Sequence, residues 1–233
     1  MRQALRQAWW FLQRYQRELV MARVFEDTVR GIAWLEGKGF SPHGSSANYS
    51  FLYILLRILD KVNPSRILEF GMGETTTLTS QYVCHKNKQA HLYVVEHDIR
   101  WKQFFEKTIA HDDNVHVITP AVHTIMHRGA SSLWYDNLAG VLPPLTFDCV
   151  ILDGPQGTPH YSRAGVLELL PFSLGVSFVL IVDDYDRKGE RETVREIFDV
   201  LKTHAIAFDF SVYEGTKQQC LIYSQDLRFL QSL

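Results

Sequence analysis

From Arg66 onward, short apolar runs alternate with helix-patterned segments, and this alternation constrains the fold more than any other feature of the chain. Arg66 to Phe70, His91 to Glu96, Val115 to Thr119, Phe147 to Leu152 and Phe178 to Val182 read as strands. A glycine-rich turn leading into a helix through about Cys84, then Ile99 to Ala110, a stretch around Ala164 to Leu170, and Glu190 to His204 read as the intervening helices. Strands that alternate with helices form a parallel sheet covered on both faces. Ile206 to Tyr213 and Gln219 to Tyr223 flank Glu214-Gly215-Thr216-Lys217, and so short a connection joins only antiparallel strands. The expected fold is therefore α/β: a doubly wound, seven-stranded sheet, mostly parallel, with a C-terminal antiparallel hairpin and helices added at the N-terminus.

In such a sheet a ligand sits beyond the carboxyl ends of the strands, at the point where the strand order reverses. The first strand runs into Glu69-Phe70-Gly71-Met72-Gly73-Glu74-Thr75. Glycines there let the backbone turn sharply and approach a ligand closely. The second strand ends at Glu96, followed by His97, and an acid in that place accepts hydrogen bonds from ribose hydroxyls. Its separation from Gly73 is close to the ~20 residues expected of a ribose acid. Thr76 stands where a dinucleotide fingerprint needs its third glycine, which argues against NAD or FAD. S-adenosylmethionine carries no pyrophosphate and accepts a looser turn. The Glu-x-Gly-x-Gly-x-Thr form, with an acid ending the next strand, resembles the Rossmann-like class I methyltransferases. That resemblance assigns Glu69, Gly71, Gly73, Thr75, Glu96 and His97 to the cofactor.

Two later strand ends carry carboxylates: Leu152-Asp153-Gly154-Pro155 and Val182-Asp183-Asp184-Tyr185-Asp186. Parallel strands bring both ends to one side of the sheet, so Asp153, Asp183 and Asp184 are expected near one another. Acids at these two ends are also how catechol O-methyltransferase-like enzymes hold magnesium, and oxygen-only ligands suit Mg2+, Mn2+ or Ca2+. The same aspartates would equally serve to cap a helix or bind loop amides. The catechol enzymes carry a lysine base three residues past the first aspartate, where this chain has Gln156. Asp153, Asp184 or His160, on the loop Gln156-Gly157-Thr158-Pro159-His160-Tyr161, is then the candidate proton acceptor for a weakly nucleophilic hydroxyl.

Taken together, Glu69-Phe70-Gly71-Met72-Gly73, Val95-Glu96-His97-Asp98, Asp153-Gly154-Pro155-Gln156-Gly157 and Asp183-Asp184-Tyr185-Asp186-Arg187 with Glu190 resemble the glucuronoxylan O-methyltransferase-like family of plant cell-wall proteins, over roughly residues 40 to 200. The resemblance implies a cofactor site at Glu69, Gly71, Gly73 and Glu96, with Asp153 and Asp184 near the acceptor. It also implies an acidic-sugar site at Arg163 and Arg187, with Tyr161 alongside, since arginine pairs well with a carboxylate. Those arginines would otherwise pair with Glu168, Glu190 or Asp186. Asp183 stands where that family has histidine, which leaves the catechol-like metal site open. The expected activity is S-adenosylmethionine-dependent O-methylation of a saccharide or saccharide precursor, in polysaccharide biosynthesis. A divalent-metal-dependent methyltransferase of a phenol or other small molecule, and a non-catalytic α/β scaffold, are the rivals.

Residues 2 to about 35 read as helix, with Leu5, Trp9, Leu12, Gln16, Leu19 and Arg23 on one side and Trp10, Val20 and Val24 broadening its apolar face. Such a face suits packing on its own domain, peripheral contact with a membrane surface, or a partner helix, including a second copy in a homodimer. Gly37 to Ser50 has loop chemistry, with Ser45 or Ser46 placed to cap a helix from Phe51 to Val62 that Asn63-Pro64 stops. We therefore expect residues 1–62 to form a helical extension covering cofactor and substrate, and 63–233 a methyltransferase domain. Ala8 to Leu12 is too short to span a bilayer and lacks the features of a leader, so a cytoplasmic protein is expected. The formal net charge of -2 gives no pull toward nucleic acid, and there is no Asn/Asp-Pro-Pro-Tyr run of the kind used in base methylation. Cys84, Cys149 and Cys220 show no CxxC spacing, so neither a zinc site nor a disulfide framework is expected.

Overall fold

A computed structural model describes residues 2–35, 37–41 and 47–232. Helix α1 spans Arg2–Val29 and α2 Tyr49–Lys61. The α/β unit follows as β1 (Arg66–Phe70), α3 (Glu74–Gln81, continued by a π-turn), β2 (His91–Val95), α4 (Ile99–Phe105), β3 (Val115–Ile118), β4 (Val122–His127), β5 (Ala130–Tyr135), α5 (Leu138–Val141), β6 (Phe147–Leu152), β7 (Leu174–Val182), α6 (Lys188–Thr203), β8 (Phe208–Glu214) and β9 (Gln218–Ser224). The main sheet has seven strands in the order β3-β2-β1-β6-β7-β9-β8. The first five run parallel; β9 is antiparallel to β7 and β8 to β9. The expected seven-stranded, mostly parallel, doubly wound sheet with its closing hairpin is thus the observed one. The order reverses between β1 and β6, and a crevice opens beyond their carboxyl ends.

One core lies on each face of the sheet. One face packs β1, β2, β6, β7 and β9 residues such as Ile67, Leu92, Ile151, Ile181 and Leu221 against α2 and α3. On α2, Phe51, Leu52, Leu55, Ile58 and Leu59 are buried at helical spacing, so the helix packs into this core. The other face packs Leu68, Phe70, Val150, Leu180 and Ile222 against Trp134, Val194, Ile197 and Leu201.

Several boundaries depart from the sequence reading for identifiable reasons. Ser45 and Ser46 lie outside the described residues, and the cap of α2 is Asn48, whose side-chain oxygen accepts from Phe51 N at 3.3 Å. Helix α4 stops at Phe105 because the Thr108 hydroxyl donates to the Phe105 carbonyl at 2.8 Å, a local bond that competes with helix continuation. Residues 164–168 form only a 3-10 turn. The β4–β5 hairpin was not anticipated; it turns at Arg128 (φ 48°) and Gly129 (φ 80°), a less recognisable pair than Asn-Gly.

Helix α1 docks by a different face from the one its tryptophans suggest. Trp9, Phe11, Leu12, Tyr15, Leu19 and Val20 are exposed, whereas Arg14 and Phe25 are buried. Arg14 donates Nε–H to the Gly215 carbonyl at 2.8 Å and pairs with Asp186 at 3.1 Å. The Glu18 carboxylate accepts from Tyr49 N, Ser50 N and Ser50 Oγ, at the positive end of α2, and from Thr216 N. Polar pairs thus fasten α1 both to α2 and to the β8–β9 turn. No helix among the described residues is long and apolar enough to cross a membrane.

Candidate active site

A cleft of about 860 Å³ lies at the crevice, lined by Gly71, Met72, Gly73, Glu74, Thr75, Glu96, His97 and Asp98 from one part of the sheet. Asp153 to Pro159, with Arg163, Asp184, Arg187, Lys188 and Gly189, line another part, and Trp101, Tyr135 and Ala47 complete it. Gly71 has φ 91°, and a Cβ there would stand 3.0 Å from Gly154 N. A Cβ on Gly154 would meet the Tyr135 hydroxyl at 2.4 Å and Gly71 N at 2.8 Å. The ends of β1 and β6 therefore touch backbone to backbone, which only glycine permits.

Glu96 is buried and lines the cleft. Its carboxylate accepts from Met72 N at 3.0 Å and Asp98 N at 2.7 Å, and His97 Nδ1 lies 3.2 Å away. A carboxylate accepts about four hydrogen bonds, so these contacts orient Glu96 without exhausting it. Asp98 caps α4 through Arg100 N and Trp101 N. The indole N–H of Trp101 then donates to the Met72 carbonyl at 2.6 Å, fastening the glycine turn from outside. Glu69 does not line the cleft. It is wholly buried, and its carboxylate accepts from the hydroxyls of Thr75 (2.5 Å), Thr76 (2.8 Å) and Thr79 (3.0 Å). Burial nevertheless holds its pKa up at about 7. Glu69 thus braces the first turn of α3, and Thr75, which does line the cleft, is held through it.

Asp153, Asp183 and Asp184 do come together, with ligand atoms all within 4.8 Å of one another. Asp153 and Asp184 line the cleft, and Asp183 is fully buried beside them. Cations are already in place among them. Lys217 Nζ, from the β8–β9 turn, lies 3.1 Å from Asp183 and 3.6 Å from Asp184. Arg163 Nη2 lies 3.6 Å from Asp153 and 3.5 Å from Asp184, and Arg187 Nη1 is 2.8 Å from Asp184. The second Asp183 oxygen accepts from Gln219 Nε2 at 2.8 Å. Burial, followed by the Asp183 charge, pushes Asp153 well above the usual carboxylate range and raises Asp184 as well.

The remaining expected residues lie elsewhere or are engaged. His160 is exposed, pairs with Glu192 at 3.2 Å and does not line the cleft. Tyr161 also lies off the lining, stacked edge-on against His127 at 5.1 Å. Arg163 is buried and holds φ 61°; besides its aspartates it donates to the Pro155 carbonyl at 2.9 Å. Arg187, which also lines the cleft, pairs with Asp184 and has a side chain 54% exposed. Sequence reasoning missed Lys217, Trp101 and Tyr135. The last is buried to 2% exposure, and its hydroxyl has no hydrogen-bond partner among the described residues. Its signal was hidden in the unrecognised hairpin, whereas Trp101, five residues past Glu96, was legible only as part of a helix.

No protein-family model matches the chain, and no curated protein does. Solved structures do. An O-methyltransferase of Bacillus cereus in complex with S-adenosylhomocysteine is 13% identical, with 92% of this chain and 100% of that one covered and a TM-score of 0.56. A candidate caffeoyl-CoA O-methyltransferase of Staphylococcus aureus is 10% identical over 90% and 99% of the chains, with a TM-score of 0.54. A candidate O-methyltransferase of Klebsiella pneumoniae is 16% identical over 88% and 89%, with a TM-score of 0.52. At these identities the likeness is one of architecture: the chain has the seven-stranded Rossmann-like fold on which these O-methyltransferases are built.

Proposed function

We propose that the protein is an S-adenosylmethionine-dependent O-methyltransferase acting on a hydroxyl of a saccharide or saccharide precursor. One observation carries this reading. A single cleft at the strand-order reversal joins Glu96 and the side-chain-free Gly71–Gly154 contact to the acids of β6 and β7. The residues fit the cofactor: Glu96 keeps acceptor capacity for ribose hydroxyls, and the Tyr135 hydroxyl, without a partner among the described residues, supplies a donor or acceptor at the same cleft. When bound, S-adenosylmethionine supplies an electrophilic methyl group on a sulfonium.

The chain's own part is alignment and proton management. Asp153 is partly exposed, lines the cleft and has a raised pKa, so it suits the role of accepting the acceptor's hydroxyl proton as the new O–C bond forms. Gln156, Thr158, Arg187 and Lys188 give the acceptor side a polar and cationic lining, which suits sugar hydroxyls and a uronate carboxylate. The segment ahead of α2 covers one edge of the cleft, contributing Ala47 to the lining. The acid cluster is a poor fit for a divalent ion, because each Asp183 oxygen already faces a protein donor and one of these donors, Lys217, is cationic; no step is routed through a metal. The test is transfer of labelled methyl from S-adenosylmethionine to a panel of uronate-bearing saccharides, neutral saccharides and phenols. Turnover favouring uronates is expected. Transfer only to phenols would overturn the acceptor class.

A further inference from the structure

Three carboxylates within 4.8 Å form an arrangement that ordinarily calls for a divalent cation. In this protein their charge is met from within. Asp153, Asp183 and Asp184 face Lys217, Arg163 and Arg187, the last of which also lies 3.9 Å from the buried Glu190. Mg2+ needs oxygens at about 2.1 Å in near-octahedral array. An ion that close to the Asp183 oxygen would have to share it with the Lys217 ammonium, 3.1 Å from the same atom, and like charges around one oxygen repel.

Lys217 is no loose surface side chain. Its turn is fixed by Arg14 on the Gly215 carbonyl, by Glu18 on Thr216 N, and by Gly215 N donating to the Lys217 carbonyl at 2.9 Å. A Cβ on Gly215 would lie 2.1 Å from a Glu18 oxygen, so the turn is pressed directly onto α1. The side chain is only 16% exposed and its ammonium lies 3.1 Å from Asp183 and 3.6 Å from Asp184. Anchoring of this kind presents the ammonium at a set position before any ligand arrives.

We infer that Lys217 takes the place of a divalent cation at this acid cluster, so that the cleft works without metal and acquires a metal site only when the ammonium is removed. The inference rests on the methyltransferase reading for its functional meaning, but not for its test. Mn2+ would be titrated by electron paramagnetic resonance into wild type, Asp183→Asn, Lys217→Met, Lys217→Arg and Lys217→Met/Asp183→Asn, each with S-adenosylhomocysteine binding measured on the same sample. Wild type and Lys217→Arg should leave Mn2+ free up to about 1 mM, the weak end of biological cation affinity. Lys217→Met should bind one ion at least roughly tenfold tighter, about 1.4 kcal/mol, and the double variant should lose it. One Mn2+ per wild-type chain, lost on Asp183→Asn, would overturn the inference whether or not Lys217→Met folds. So would a folded Lys217→Met that binds no better than wild type. Loss of S-adenosylhomocysteine binding in wild type would instead count against the proposed function alone.

Discussion

Replacing Glu69 by glutamine isolates the energetic consequence of a carboxylate held in a dry place. Glu69 is completely buried, and three threonine hydroxyls are its hydrogen-bond donors. Burial lifts its pKa from 4.5 to about 7, so desolvation outweighs the three hydroxyls. A raised carboxyl pKa means that the folded state binds the proton more tightly than the unfolded chain. The stabilisation is complete below about pH 4.5 and is lost as pH rises through about 7. At about 1.4 kcal/mol per pKa unit, the loss between pH 5 and pH 8 comes to roughly 2.5 kcal/mol. Glu69→Gln cannot titrate there. Urea unfolding of both proteins at pH 5, 6, 7 and 8 should show the wild-type advantage over the variant shrinking by about 2–3 kcal/mol across the series. A difference constant to within about 0.5 kcal/mol would refute the reasoning. The carboxylate would then be ionised throughout, with the threonines outweighing burial.

Tyr135→Phe removes a buried hydroxyl that has no hydrogen-bond partner among the described residues. Unfolding of the free protein should be unchanged or slightly harder, while S-adenosylhomocysteine binding measured by calorimetry weakens about threefold to tenfold, the worth of one neutral hydrogen bond. Equal affinity would show that the hydroxyl does not meet the ligand. Gly165→Ala would drive a methyl to within 2.0 Å of the Trp134 ring, so urea denaturation should report a loss of about 1–3 kcal/mol from overpacking. A neutral outcome would mean that this wall of the second core is loosely packed.

The sheet was legible because its strands are short apolar runs with turns at fixed places, and parallel topology follows from alternation alone. The convergence of Asp153, Asp183 and Asp184 was legible for the same reason: parallel strands end on one side. What the sequence hid depends on contacts across the chain. Lys217 sits in a turn that reads as an ordinary hairpin loop, and only the β7–β9–β8 pairing brings it to the aspartates. Arg163 read as either a substrate arginine or a partner of nearby acids, and in the fold it lines the cleft while paired with Asp153 and Asp184, acids that only the strand pairing brings to it. On α1 the apolar stripe was visible but misleading, since Arg14 and Glu18 have partners on other elements that no local pattern reveals. The β4–β5 hairpin, and Tyr135 with it, was missed because its strands are mostly half-exposed and its turn is Arg128-Gly129.

Calorimetric titration of the wild-type protein with S-adenosylhomocysteine, with Glu96→Ala alongside, bears most directly on the assignment of this cleft. Binding in the micromolar range that falls at least about tenfold in the variant, as expected for lost hydrogen bonds to a charged group, is the predicted result. A well-folded wild-type protein that takes up no S-adenosylhomocysteine would contradict it.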